Sequence, residues 1–237
     1  MNGLQAIIDS GSKIVFFSGA GVSTESGIPD FRSSEGLYLQ EHKISPEEIL
    51  SHDYFMKHPS EFYRFYRENM IYDNAKPNEC HLKIAELERA GRLLMVVTQN
   101  IDGLHSAAGS KKVAELHGSI YRNHCIKCGK AYSLDKIKES SIIPMCNCGG
   151  IIKPDVVLYG EPLDSTTVQS AATAISQADT LIVAGTSLTV YPAAGLIKYF
   201  RGRNLVIINR DITSADNLAD LVIHEKVGKV FSDIVIK

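Results

Sequence analysis

The sequence predicts an α/β fold, a doubly wound parallel sheet carrying a small inserted module, and three observations support it. Four short apolar runs, at 13–18 (KIVFFS), 93–98 (LLMVVT), 180–184 (TLIVA) and 204–208 (NLVII), lack an alternating polar face. Strands covered on both faces of a parallel sheet have this composition. Longer stretches with helical spacing separate them, and such alternation builds doubly wound sheets. The third observation is an interruption at 121–152, rich in Cys, Lys, Ser and Gly and poor in apolar periodicity.

In chain order, the first strand at 13–18 is followed by expected helices at 61–72 and 78–90. In the second helix Leu82, Ala85 and Leu87 share helical spacing and Gly91 ends the pattern. Strand 93–98 precedes the interruption. A helix at 164–177 leads to strand 180–184. A helix at 192–200, opened by a proline that a first turn tolerates, leads to strand 204–208. Residues 1–120 and 153–237 are expected to form one Rossmann-like domain, and 121–152 the small module. The helical stretch 37–75 is expected to join the module in one small lobe.

Composition excludes several classes. With 44% apolar and 22% charged residues the chain is not disordered. Its 25 basic residues against 27 acidic ones leave a net charge of −2, with no basic field for nucleic acid or an anionic membrane. No apolar run approaches the roughly 20 residues that span a bilayer. The opening MNGLQAIIDSGSK has neither a basic n-region nor a long apolar core. A soluble, cytoplasmic protein is expected, with no membrane partner and no specific nucleic-acid partner.

Four of the five cysteines, Cys125, Cys128, Cys146 and Cys148, form two close pairs separated by 17 residues. Two pairs of thiolates on glycine-bearing turns (Gly129, Gly149, Gly150) can close a tetrahedral shell around one Zn2+, with no open position for water, so the role is structural. Redox-active thiols or an iron–sulfur cluster are the alternatives. His124 reads as a solvated loop histidine, and Cys80 as a small buried hydrophobe on a helix.

Directly after the first strand comes Gly19-Ala20-Gly21-Val22-Ser23-Thr24. Glycines there let the backbone turn tightly and approach a pyrophosphate, although a plain tight turn has the same sequence. A hydride-transfer enzyme would want a third glycine at position 24 and a continuous helix. Thr24 and the run Ser26-Gly27-Ile28-Pro29-Asp30 supply neither.

Taken together, the segments resemble the sirtuins, the NAD-dependent protein-lysine deacylases. The matching pieces are GAGVSTESGIPDFR (19–32), TQNIDGLH (98–105), HGS (117–119), the four cysteines, KPDVVLYGE (153–161), GTSLTVYPAA (185–194) and Ile208-Asn209. They occur in the family's order over nearly the whole chain. The resemblance implies NAD as a consumed co-substrate, one structural Zn2+, and an acetyl-lysine protein or peptide bound as an extended strand. The acyl oxygen would attack the ribose C1′ as nicotinamide leaves. His117, the catalytic base, would then activate the 2′-hydroxyl, directly or through the 3′-hydroxyl. The products would be nicotinamide, O-acetyl-ADP-ribose and deacetylated lysine.

The resemblance also implies residue roles. Gly19, Ala20, Gly21, Thr24 and Arg32 would line the phosphates. Phe31 would shield the reacting ribose, and Asp30 would order its loop. Gln99, Asn100, Ile101 and Asp102 would grip ribose and carboxamide, with Asn100 catalytic as well; capping of a strand-ending turn is the alternative for Asn100 and Asp102. His105 would be structural. Thr186, Ser187, Asn209 and Val227 would meet adenosine. Val157, Leu158, Tyr159 and Gly160 would form one edge of the peptide slot, opposite 186–191, with the Val157 carbonyl receiving the lysine Nε–H. Position 159 is mostly Phe in the family and is Tyr here.

Members that prefer acidic acyl groups carry Tyr-x-x-Arg on the acyl-pocket helix. Here Tyr63 is followed three residues later by Tyr66, and Arg64 and Arg67 fall one position off. Neutral acyl groups are therefore expected. The competing readings are an NAD-dependent protein ADP-ribosyltransferase, a non-catalytic NAD sensor, for which His117 would have to be missing, and a zinc-ribbon nucleic-acid binder. For the last, Lys127, Lys130, Lys136 and Lys138 come with few aromatics and read as a solvated face.

Overall fold

The structure, a computed structural model, describes residues 2–31, 36, 44–72 and 74–236. In chain order the strands are β1 (Ile14–Ser18), β2 (Leu93–Thr98), β3 (Val113–Glu115), β4 (Gly118–Cys125), β5 (Ala131–Tyr132), β6 (Ile152–Val156), β7 (Thr180–Ala184), β8 (Asn204–Ile208) and β9 (Leu221–Ile223). The helices are α1 (Asn2–Ser10), α2 (Pro46–Ile49), α3 (His52–Lys57), α4 (Pro59–Asn69), α5 (Glu79–Arg89), α6 (Leu104–Ala107), α7 (Leu134–Glu139), α8 (Ser165–Gln177) and α9 (Val227–Ser232). The large sheet has the order β3-β2-β1-β7-β8-β9, and every pairing in it is parallel. The chain is thus a mixed α/β protein with a doubly wound sheet. No helix among the described residues is long and apolar enough to cross a membrane.

The apolar runs are continuous because both faces of the sheet are covered. Ile14, Phe16, Ile182, Val206 and Ile208 face α1, α5 and α9 through Leu4, Ile8, Ile84, Leu87 and Phe231. The alternate residues Val15, Phe17, Leu181, Val183 and Ile207 face α8 through Ala171, Ala174 and Ile175. Both sets are apolar, since successive side chains of a strand point to opposite faces. On α5 the buried positions are Cys80, His81, Ile84, Ala85 and Leu87, whereas Leu82, expected on the core face, is exposed. Asp164 caps α8 by accepting from the Thr167 N–H at 2.7 Å. The segment expected as a helix at 192–200 is instead a 3-10 helix, Ala193–Tyr199, with Gly195 inside it and the Gly195 N–H donating to the Pro192 carbonyl three residues back.

The second sheet, β5-β4-β6, is small and antiparallel. It begins at Gly118 and ends at Val156, so it reaches beyond the cysteine-rich stretch at both ends. His124 lies on β4, half-buried and paired with Asp155, rather than on a solvated loop. Around this sheet a separate core joins α2, α3, α4 and α7 to it through Ile49, Phe55, Phe62, Tyr63, Tyr66, Ile137 and Ile152. Tyr63 Oη donates to the Ile152 carbonyl.

Candidate active site

A cavity of about 390 Å3 lies at the carboxyl ends of β1, β2, β7 and β8. Doubly wound sheets open their ligand crevices there, where connections leave neighbouring strands in opposite directions. The loop after β1 packs directly on the loop after β7. The Gly21 N–H donates to the Gly185 carbonyl at 2.8 Å, and a Cβ on Gly21 would lie 2.8 Å from Gly185 Cα. Gly21 is therefore required for close approach of two backbones. The N–H groups of Gly19, Gly21, Val22 and Ser23 are all taken by protein carbonyls. Among residues 19–23 only the Ala20 N–H has no partner in the described structure, so the loop offers a phosphate fewer amides than its sequence suggests.

Asn100, Ser23 and Asp102 form a hydrogen-bonded chain in the cavity wall. Asn100 Nδ2 donates to Ser23 Oγ at 3.1 Å, and Ser23 Oγ donates to Asp102 Oδ2 at 2.6 Å. Burial raises the Asp102 pKa above its ordinary value, against bonds from Ser23, the Leu104 N–H and Asn100. Gln99 Nε2 reaches across to Thr186 Oγ1 at 3.0 Å. His117 Nδ1 lies 2.9 Å from the Gln99 carbonyl. A carbonyl can only accept, so the proton is assigned to Nδ1 and Nε2 keeps a lone pair. Burial holds the His117 pKa below its ordinary value, more than the bond to Gln99 raises it. A neutral imidazole with a bare Nε2 is a competent base near neutral pH.

The segment after β6 forms the opposite wall. The Val157 N–H donates to the His117 carbonyl at 3.0 Å, so the two residues are neighbours across extended strands. The Tyr159 N–H donates to the Leu50 carbonyl, and the His52 N–H to the Tyr159 carbonyl. Glu161 Oε2 accepts from the Leu158 N–H at 2.9 Å and from Lys153 Nζ at 3.0 Å, while Oε1 meets His52 Nδ1 at 2.8 Å. Burial would raise the Glu161 pKa, but the bonds from Leu158, His52 and Lys153 bring it below the usual carboxylate range. Among the described residues the Val157 carbonyl accepts no hydrogen bond, nor does the Gly160 backbone make one.

The cysteines lie apart from this cavity. Their four Sγ atoms are all within 4.8 Å of one another, with Cys125–Cys148 at 3.5 Å and Cys128–Cys146 at 3.7 Å. Zn–S bonds of about 2.3 Å in a tetrahedron give sulfur–sulfur edges of about 3.8 Å, so the donor set fits Zn2+. Each pair sits in a closed turn, with Cys125 N–H to the Lys130 carbonyl and Cys146 N–H to the Gly150 carbonyl. Tyr132 Oη donates to Cys146 Sγ at 3.0 Å, and the Lys127 N–H to Cys125 Sγ at 3.4 Å, which stabilises thiolate ligands. These residues can hold a structural metal.

Of the residues expected around NAD, Gly19, Ala20, Gly21, Phe31, Gln99, Asn100, Ile101, Asp102, His117, Thr186, Ser187 and Asn209 line the cavity. So do Val157, Leu158, Tyr159 and Gly160. Thr24 does not; it is exposed, and its hydroxyl turns back to the Gly21 carbonyl. Val227 does not either, because as the first residue of α9 its side chain is packed into the core beside Phe16 and Val22. Arg32 lies outside the described residues, as does part of 37–75. Ser23 was missed by sequence reasoning, although it sits inside the recognised loop; its two partners lie 77 and 79 residues away. Tyr63 and Tyr66 are sealed in an aromatic core, with Tyr66 stacked on Phe62, and the cavity is met instead by Asn69, Met70 and Tyr72 after them. Arg67 is tied to the Ile137 and Ile142 carbonyls, and Arg64 is exposed.

The model of the Sir2 family matches residues 19–192, which include the whole wall from Gly19 to Tyr191 and the four cysteines. The chain belongs to the Sir2 family. Its relatives include a protein of Clostridium acetobutylicum described as an NAD-dependent protein deacetylase, 56% identical over 99% of this chain and 98% of that one. A Staphylococcus aureus protein of the same description is 48% identical over 98% and 96%. Among solved Sir2 structures, a complex with p53 peptide and NAD+ superposes with a TM-score of 0.87 at 39% identity, covering 98% of this chain and 95% of that one. A complex with a deacetylated p53 peptide and 3′-O-acetyl-ADP-ribose gives 0.90 at 40% identity, covering 98% and 96%. This Sir2 member thus has relatives named as NAD-dependent protein deacetylases, and structural neighbours described with NAD+, with p53 peptide and with 3′-O-acetyl-ADP-ribose.

Proposed function

We propose that this chain is an NAD-dependent protein-lysine deacetylase in which His117 is the base and Val157 receives the acyl-lysine. One observation carries the residue assignment. The bare Nε2 of His117 and the open carbonyl of Val157 belong to residues joined by a backbone hydrogen bond of 3.0 Å, in the wall of one cavity. Base and acceptor for the lysine amide are therefore held in register by the backbone. NAD supplies a nicotinamide–ribose bond whose cleavage lets C1′ accept the acyl oxygen, so that with water the products are nicotinamide, O-acetyl-ADP-ribose and free lysine.

The protein's own groups bind and orient. The Ala20 N–H and the loop after β1 meet the phosphates, and Thr186, Ser187 and Asn209 meet adenosine. Asn100, Ser23 and Asp102 hold the ribose and carboxamide side, while Phe31 excludes water. His117 Nε2 takes a ribose hydroxyl proton, its orientation fixed through Nδ1 by Gln99. The peptide lies between Gly160 and the 186–191 segment, making main-chain hydrogen bonds. The four-cysteine Zn2+ is structural and apart from the chemistry. Thiolate ligands persist in a reducing compartment, which supports a cytoplasmic setting. No arginine of α4 reaches the cavity among the described residues, which supports acetyl and other neutral acyl groups as substrates.

Mass spectrometry of an acetyl-lysine peptide incubated with and without NAD tests the reading. Loss of the acetyl group only with NAD, together with O-acetyl-ADP-ribose, is expected. Label from NAD fixed on protein instead would replace it with ADP-ribosyl transfer.

A further inference from the structure

The peptide edge needs its main chain held open. Residues 158–161 form a tight turn in which the Glu161 N–H donates to the Leu158 carbonyl at 2.9 Å and Gly160 has φ +90°. Glycine at the third position of a turn with that φ is the type II arrangement. A second bond closes the same turn, from the Leu158 N–H to Glu161 Oε2. Beneath it, Lys153 Nζ, which is buried, donates to Glu161 Oε2, the Val156 carbonyl at 3.0 Å and the Pro154 carbonyl at 3.2 Å. Three acceptors use the full donor capacity of an ammonium group. At the solvent end His52 holds the other carboxylate oxygen. With these bonds made, the N–H groups of residues 157–159 and the carbonyls of 158 and 159 are all occupied, and the edge presents the Val157 carbonyl and the Gly160 backbone.

We propose that the Lys153–Glu161 ion pair, braced by His52, is a positioning device that holds the Val157 carbonyl and Gly160 open for acyl-lysine peptide; the proposal rests on the reading of 157–160 as the peptide edge. The carboxylate clamps the turn through Leu158, and the ammonium ties the turn to the Pro154 and Val156 carbonyls just upstream of Val157. Releasing either charge lets Leu158 and Val156 seek other partners, and the open carbonyl loses its place. The nucleotide side of the cavity is built from other loops and is left intact.

Steady-state kinetics of Glu161→Gln against acetyl-lysine peptide and NAD tests this. The peptide KM should rise about tenfold, the loss of one charge-assisted bond, with the NAD KM within about twofold of wild type. Lys153→Met should behave likewise, and Lys153→Arg, which keeps the charge, should restore most of the peptide affinity. If Glu161→Gln does not fold, His52→Ala at the solvent end should show the same split at about threefold. An unchanged peptide KM, or peptide and NAD KM values rising together, overturns the proposal. Hydrogen exchange of the wild-type chain separates the two levels. Added acetyl-lysine peptide should slow exchange across 157–161, and no slowing overturns the peptide edge itself, whatever the variants do.

Discussion

His81 on α5 and His105 on α6 stand ring against ring in the core, with centroids 4.7 Å apart. His81 Nδ1 accepts from the Asn78 N–H at 3.3 Å, and His105 Nε2 meets Ser18 Oγ at 3.1 Å. Among the described residues no carboxylate is bonded to either ring, and His81 Nε2 and His105 Nδ1 have no partner. Burial lowers the His81 pKa from 6.5 to about 4. Burial and the neighbouring His81 ring hold His105 well below 6.5 as well. Above pH 6.5 both histidines are neutral in the folded and unfolded chains. Between 6.5 and 4 the unfolded chain binds protons that the folded chain refuses, so stability is lost as pH falls through that window. At about 1.4 kcal/mol per pH unit for one proton, His81 alone removes about 3 kcal/mol by pH 4. That is a large part of a typical stability of about 5–15 kcal/mol. Carboxylates held below their usual range, such as Asp179, act lower on the pH scale. Urea unfolding at half-unit steps from pH 7.5 to 4.5 should show the loss. His81→Asn, which keeps an acceptor near the Nδ1 position but does not titrate, should reduce the slope below pH 6 by about one proton. An unchanged slope in that variant would refute the argument.

Three further outcomes are expected. His117→Ala should lower deacetylation by about 100-fold or more while NAD still binds, read by turnover and calorimetry; wild-type turnover would remove His117 as the base. Elemental analysis should find one zinc per chain, and Cys125→Ala should lose it and melt the small antiparallel sheet while the parallel domain keeps its secondary structure. Matched acetyl and succinyl peptides should show kcat/KM favouring acetyl, because a carboxylate without a guanidinium partner costs several kcal/mol to bury. A ratio favouring succinyl would mean that Arg64 or Arg67 leaves the position seen here.

The strands β1, β2, β7 and β8 were legible because each is buried on both faces, and a continuous apolar run records that burial without reference to any partner. The loops at their ends were legible for the related reason that Gln99 to Asp102, and Gly19 to Gly21, are contiguous in sequence and each run follows a strand whose end opens on the cavity. Strands β3 and β9, three residues each, carry too little pattern to read. Strand β4 exists through its antiparallel pairing with β6, which starts 27 residues after β4 ends. Side-chain direction differs from expectation where packing decides it: Leu82, expected on the core face from its spacing, turns to solvent, and Val227, placed near adenosine by the resemblance, turns into the core. The arrangements that only the tertiary structure decided join residues far apart in the chain. Asn100 and Asp102 meet on Ser23, His81 meets His105, and His52 meets the Lys153–Glu161 pair. Their chemistry is short-ranged and directional, so it appears only once the sheet has brought its carboxyl ends together.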